Sequence, residues 1–129
     1  MPMVLLTNNP LVHQRLGDSV PMVYDREAGY VELLKTARDR IHQGAVLLTH
    51  PLSGSIKPNE TPFKSLLLQE GGKGLDTDSL QIIEDAIRLA ERMIDQAGQR
   101  RWTDKIIADF QLIDYDLIRH GLEHAGRHQ

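Results

Sequence analysis

The order of apolar segments predicts an α/β fold: a small, three-layer, doubly wound sheet of about four strands, followed by two C-terminal helices. Three observations carry this expectation. Short apolar runs alternate with segments of helical period, in the order strand, helix, strand, helix, strand. The runs are apolar without interruption, as suits strands covered on both faces. The 129 residues, 40% hydrophobic and 26% charged, suffice for one core and are short for two. A single α/β domain over residues 1–129 is therefore expected.

The first strand spans Met3 to Thr7 and stops at Asn8-Asn9-Pro10. Asn9 is a good N-cap, and Pro10 suits a first helical position because its missing N–H would be unsatisfied anyway. A short helix from Leu11 to Leu16 closes at Gly17, and Val20 to Tyr24 reads as a second strand. From Glu27 the pattern turns helical, with Tyr30, Leu34, Ala37 and Ile41 on one face and Gly44 as the stop. Ala45 to Thr49 is the third strand. Residues 50–64 carry three prolines and a glycine and cannot be regular structure, whereas Ser65 to Glu70 forms a fourth strand. A helix capped near Asp76-Thr77-Asp78 buries Leu80, Ile83, Ile87, Ala90 and Ile94. The last helix starts near Thr103 and turns Ile106, Ile107, Phe110, Ile113, Leu117 and Ile118 inward. Right-handed crossovers place the first strand between the second and third, with the fourth pairing antiparallel on the third, giving the order 2-1-3-4.

Composition narrows the chemistry. The chain has no cysteine, which excludes disulfides, thiolate metal sites, Fe–S clusters and a cysteine nucleophile. A net charge of -3 argues against nucleic acid as a partner. Residues 1–75 carry 8 basic and 7 acidic side chains (net +1) and residues 76–129 carry 7 and 11 (net -4), so an anionic ligand is expected to meet the first half. The opening segment has neither the basic flank of a signal peptide nor the length of an anchor, so a cytoplasmic protein without membrane association is expected.

Ligands of open α/β sheets bind beyond the carboxyl ends of the strands. On the predicted order that crevice lies between strands one and three, bringing Asn8 and Asn9 towards the 50–64 loop. This loop of about 15 residues exceeds the usual connection of about 4–6, and loops of that length are usually functional or disordered. The expected ligand-binding set is Asn8, Asn9, His50, Ser53, Gly54, Ser55, Lys57, Asn59, Thr61 and Lys64. Hydroxyls, a flexible glycine backbone, two lysines and a helix N-terminus together suit a carboxylate or phosphate. Each lysine alone is most often a solvated surface charge. His50 and Glu60 are the catalytic candidates, with His50 a base for Ser53 or Ser55, but no third orienting carboxylate is visible in the spacing. More often a histidine before proline simply supports its loop.

Other signals read as structure. Gly71-Gly72-Lys73-Gly74 fits no phosphate-loop or dinucleotide fingerprint and stands before two aspartates, so a flexible turn is expected and no cofactor. His120, His124 and His128 share a helical face, but near Gly121 and Gly126 a frayed tail is expected and no metal. Arg100-Arg101-Trp102 reads as a solvated turn with an aromatic anchor. The last two helices could supply a homodimer surface.

The segments Thr7-Asn8-Asn9-Pro10-Leu11-Val12 and Leu48-Thr49-His50-Pro51-Leu52-Ser53-Gly54-Ser55-Ile56-Lys57-Pro58-Asn59-Glu60-Thr61-Pro62-Phe63-Lys64-Ser65 resemble the GrdX family. That family is encoded with glycine, sarcosine or betaine reductase systems of anaerobic amino-acid fermenters. The resemblance implies a setting and not a reaction. Three functions stay open: an accessory protein binding a small anionic metabolite or a partner segment, a small hydrolase or transferase using His50 with Ser53, Ser55 or Glu60, and an assembly factor contacting reductase subunits.

Overall fold

A computed structural model describes residues 2–52, 57–97 and 102–127. Its elements are β1 (Met3–Thr7), α1 (Pro10–Leu16), β2 (Met22–Tyr24), α2 (Tyr30–His42), β3 (Val46–Leu47), β4 (Ser65–Gln69), α3 (Thr77–Ala97) and α4 (Asp104–Arg127). Strand side chains alternate between two cores. Val4, Leu6, Leu66 and Leu68 meet Leu33, Leu34, Ala37 and Ile41 of α2 and Ile83, Ala86, Ile87 and Ala90 of α3. Leu5 and Leu67 meet Val12 of α1 and Ile118 of α4 on the opposite face. The architecture is α/β, with helices on both faces of one mixed sheet.

The strand order is β2-β1-β4-β3, which corrects the expected 2-1-3-4. β2 runs parallel to β1, while β4 runs antiparallel to both β1 and β3, so the fourth strand is interior and the third forms the edge. Burial explains the exchange. Leu66, Leu67 and Leu68 are all 0% exposed, and enclosing a leucine contributes about 1.5–3 kcal/mol, so β4 gains most where it has neighbours on both sides. It pairs with β1 over five positions, from Met3–Gln69 to Thr7–Ser65. β3 has two paired positions and is only half-buried, the state of an edge strand. The Leu47 N–H on this short strand donates to Ser79 Oγ of α3 at 2.9 Å.

The helix signals lie where they were expected at α1, where the Asn9 side chain accepts the Leu11 N–H at 3.0 Å and Pro10 is the first helical residue. α2 starts later than Glu27, at Tyr30, after Gly29. The Gly71–Gly74 segment is a close approach of two backbones. Gly44 has φ +106°, and a Cβ on Gly72 would stand 2.3 Å from the Gly44 carbonyl oxygen.

The largest local correction concerns α4. It continues to Arg127 instead of fraying, and its inward face is rotated from the expected one. Asp114 and Ile118 are buried, whereas Ile106, Ile113 and Leu117 are about two-fifths exposed. A carboxylate that docks on buried donors at the strand ends turns the helix, and the apolar stripe faces outward. Among the described residues no helix is long and apolar enough to cross a membrane.

Candidate functional site

With β4 between β1 and β3, the single crevice expected between those two strands becomes two clefts. The first, about 360 Å³, opens where β1 and β2 end. Asn8, Arg26, Gly29, Asn59, Thr61 and Trp102 are among its walls. The second, about 340 Å³, opens where β3 ends and β4 begins. Thr49, His50, Lys64, Ser65 and Asp114 line it, together with His120 and His124 of α4. A gap of about 20 Å³, bordered by Tyr30, Thr61, Phe63, Lys64 and Asp114, lies beside the residues that separate them.

A closed polar network joins the strand ends to α4. The Asn9 backbone N–H donates to Thr7 Oγ1 at 2.9 Å, and Thr7 Oγ1 lies 2.7 Å from Ser65 Oγ. Ser65 Oγ donates to Asp114 Oδ2 at 2.6 Å, and Asn9 Nδ2 donates to the same oxygen at 3.0 Å. A serine hydroxyl has one hydrogen, and Ser65 directs it to Asp114. Thr7 is therefore the donor in the 2.7 Å contact while that carboxyl is ionised. Asn9 also donates to the Gln111 carbonyl at 2.9 Å, which fixes α4 against the start of α1.

Asp114 and Lys64 oppose each other across this region. Burial pushes the Asp114 carboxyl above its ordinary value of 3.8, against the bonds from Ser65 and Asn9 and the charge of Lys64. Burial likewise lowers the Lys64 ammonium from 10.5, against the attraction of Asp114. Desolvation dominates both, so each group is drawn towards its neutral form. Lys64 is 7% exposed, and its ammonium stands 6.0 Å from the centroid of the Tyr30 ring. Among the described residues it forms no ion pair or side-chain hydrogen bond. Burial, with a smaller contribution from Asp114, also raises the Tyr30 hydroxyl well above its ordinary value.

The expected site residues divide between the clefts. Asn8, Asn59 and Thr61 line the first; His50 and Lys64 line the second. Asn8 is fully engaged: its amide donates to the Ala28 and Pro62 carbonyls at 2.9 Å each, and its oxygen accepts the Lys64 N–H at 2.8 Å. It holds the loop, leaving the first cleft's binding to others. Thr61 accepts the Phe63 N–H at 3.1 Å, and Asn9 is spent on its helix cap and on α4. Lys57 is exposed and lines neither cleft, as does Glu60, whose N–H donates to the Lys57 carbonyl. Ser53, Gly54 and Ser55 lie outside the described residues, as do Arg100, Arg101 and His128.

His50 is exposed, and its Nδ1 accepts the Leu52 N–H at 3.1 Å. A neutral imidazole accepting at Nδ1 carries its proton on Nε2 and offers a donor there, not a base. Among the described residues no group of three or more His, Cys, Asp or Glu is arranged to hold a metal.

Sequence reading missed Arg26, Tyr30 and Asp114. Asp114 had a signal: it lies four residues from Phe110 and four from Ile118, an acid in an apolar row. Arg26 had none, because its place beside the 58–63 turn is a consequence of tertiary folding. Trp102, expected as an aromatic anchor, packs edge-on to Phe110 with ring centroids 6.2 Å apart and walls the first cleft.

A family model described as GrdX-like protein matches residues 4–123. Neither a curated protein nor a solved structure matches the chain.

Proposed function

The chain belongs to the GrdX-like protein family, and we propose that it is an accessory protein of a glycine, sarcosine or betaine reductase system that binds a small anionic metabolite in the first cleft. The family name supports the reductase setting. One observation carries the binding reading: the exposed Arg26 and the start of α2 face a cleft of about 360 Å³ whose remaining walls include Trp102 and Phe63. Gly29 provides no side-chain cap, so the first-turn N–H groups of α2 remain available to a carboxylate. A guanidinium and a helix start recognise the anionic end; aromatic and proline walls exclude water from the rest.

Trp102, the sole tryptophan, reports occupancy directly. Titration with glycine, sarcosine, betaine and acetyl phosphate should produce a saturable change in its fluorescence with at least one of them. Arg26→Ala should weaken that ligand about tenfold, as expected for loss of a charge-assisted bond of about 1.5 kcal/mol. A flat titration with all four, and no heat by calorimetry, refutes the reading.

A second reading, an assembly factor for reductase subunits, is favoured by the exposed row Ile106, Ile113 and Leu117 on α4. Reconstitution with purified reductase subunits tests it, because Ile113→Glu should abolish co-elution while leaving Trp102 titrations unchanged.

The hydrolytic reading gains no support from the described residues. His50 presents a donor, and Glu60 shares neither cleft with it.

A further inference from the structure

The second cleft contains the most buried lysine and the most buried carboxyl described, and metabolite binding in the first cleft uses neither. We propose that Lys64 is a covalent capture group, condensing through Nζ with the carbonyl carbon of a small oxo acid held in the second cleft.

Position is the first argument. Lys64 ends the 57–64 segment immediately before β4, and its backbone N–H and carbonyl are tied to Asn8 at 2.8 and 3.3 Å. The root of the side chain is thus anchored, and Lys64 lines both a cleft of about 340 Å³, large enough for a molecule of a few carbons, and the adjoining gap it shares with Tyr30, whose ring centroid lies 6.0 Å from Nζ. Burial is the second. Lys64 is 7% exposed, and desolvation draws its amine towards the free, nucleophilic form against the charge of Asp114. The third is a proton carrier in the same wall. Asp114 borders the cleft and the adjoining gap together with Lys64, and its carboxyl is drawn towards the protonated form. Thr7, Ser65 and Asn9 hold it in place.

The step balances without an oxidant or reductant. The Nζ lone pair forms a bond to the carbonyl carbon while the carbonyl oxygen takes a proton from the Asp114 carboxyl. The resulting carbinolamine nitrogen returns a proton to the Asp114 carboxylate. The Asp114 carboxyl then protonates the hydroxyl, the C–O bond breaks as water departs with its electron pair, and the nitrogen lone pair closes the C=N bond of a protonated imine beside the Asp114 carboxylate. The acid group of the ligand is recognised by the Nε2–H of His50 on the rim, because Nδ1 of that ring is committed to Leu52. His120, His124, Thr49 and Ser65 are the other titratable or polar groups facing this cleft, and Tyr30 borders the adjoining gap.

Pyruvate with cyanoborohydride, added to the intact chain near neutral pH, tests the inference by peptide mapping. Lys64 should be trapped several-fold faster than the exposed lysines Lys57 and Lys73, because burial favours its free amine. Asp114→Asn retains hydrogen-bonding capacity for Ser65 and Asn9 and should slow trapping at Lys64 alone. Acetaldehyde, which lacks the acid group, should label Lys64 more slowly than pyruvate does. Labelling spread evenly over Lys57, Lys64 and Lys73 in the unmodified chain overturns covalent capture, and equal rates with the two probes overturn the oxo-acid assignment. Neither readout depends on Trp102 or the first cleft, so the inference can fail without the metabolite-binding reading failing.

Discussion

The two clefts at the strand ends are nearly equal in volume and opposite in chemistry. Around the first, the polar side chains Asn8 and Thr61 are occupied in holding backbone, and the exposed Arg26 stands among aromatic rings and prolines. Around the second, the walls carry a buried lysine, a buried aspartate and three imidazoles. The difference teaches that one strand, β4, does two things. It completes the sheet between β1 and β3, and its first residue, Ser65, with the preceding Lys64, partitions the space above the sheet.

The sharpest way to break the contrast is Asp114→Ala. It leaves Asn9 Nδ2 and the Ser65 hydroxyl without their shared acceptor, and a loss of about 2–4 kcal/mol is expected in urea unfolding, since each stranded buried donor costs about 1–3 kcal/mol. Asp114→Asn should recover most of that loss. Asn8→Ala comes next. Three bonds of 2.8–2.9 Å tie the first cleft's loop, and their removal should cost about 1.5–3 kcal/mol, with the Trp102 emission shifting as the wall loosens.

The pH response separates the clefts further. Asp114 is raised on folding, so between 3.8 and its folded value the native state binds more protons than the unfolded chain. Stability therefore falls as pH rises through that window. Lys64 is lowered, so the native state binds fewer protons between its folded value and 10.5, and stability rises with pH there. Thermal unfolding across pH should show both slopes, with Asp114→Asn flattening the acidic one; persistence of that slope in the variant would place its origin elsewhere. The smallest expected effect is on stability at Arg26, an exposed side chain, where Arg26→Ala should stay within about 0.5 kcal/mol while ligand binding weakens.

Much of this molecule was legible locally. The limits of β1, the Asn9 cap with Pro10 behind it, and the inward row of α2 follow from patterns spanning a few residues. The convergence of Asn8 with the end of the 50–64 segment was legible too, although for a reason that changed: β4, not β3, is the neighbour of β1, and Asn9 turns instead to α4. The face of α4 was not. Ile106, Phe110, Ile113 and Leu117 form as regular an apolar row as the true inward one, and hydrophobic period alone turns them inside.

The sequence by itself determined which segments are strands and helices, because side-chain period, capping and proline stops act over one or two turns of chain. Only the tertiary structure decided that β4 lies inside β3, that Asp114 is the residue α4 buries, and that the strand ends frame two clefts instead of one. Those choices depend on which buried donors and apolar faces meet across 49 or more residues of chain, from Ser65 to Asp114 and from Asn9 to Asp114, and no local pattern encodes that meeting.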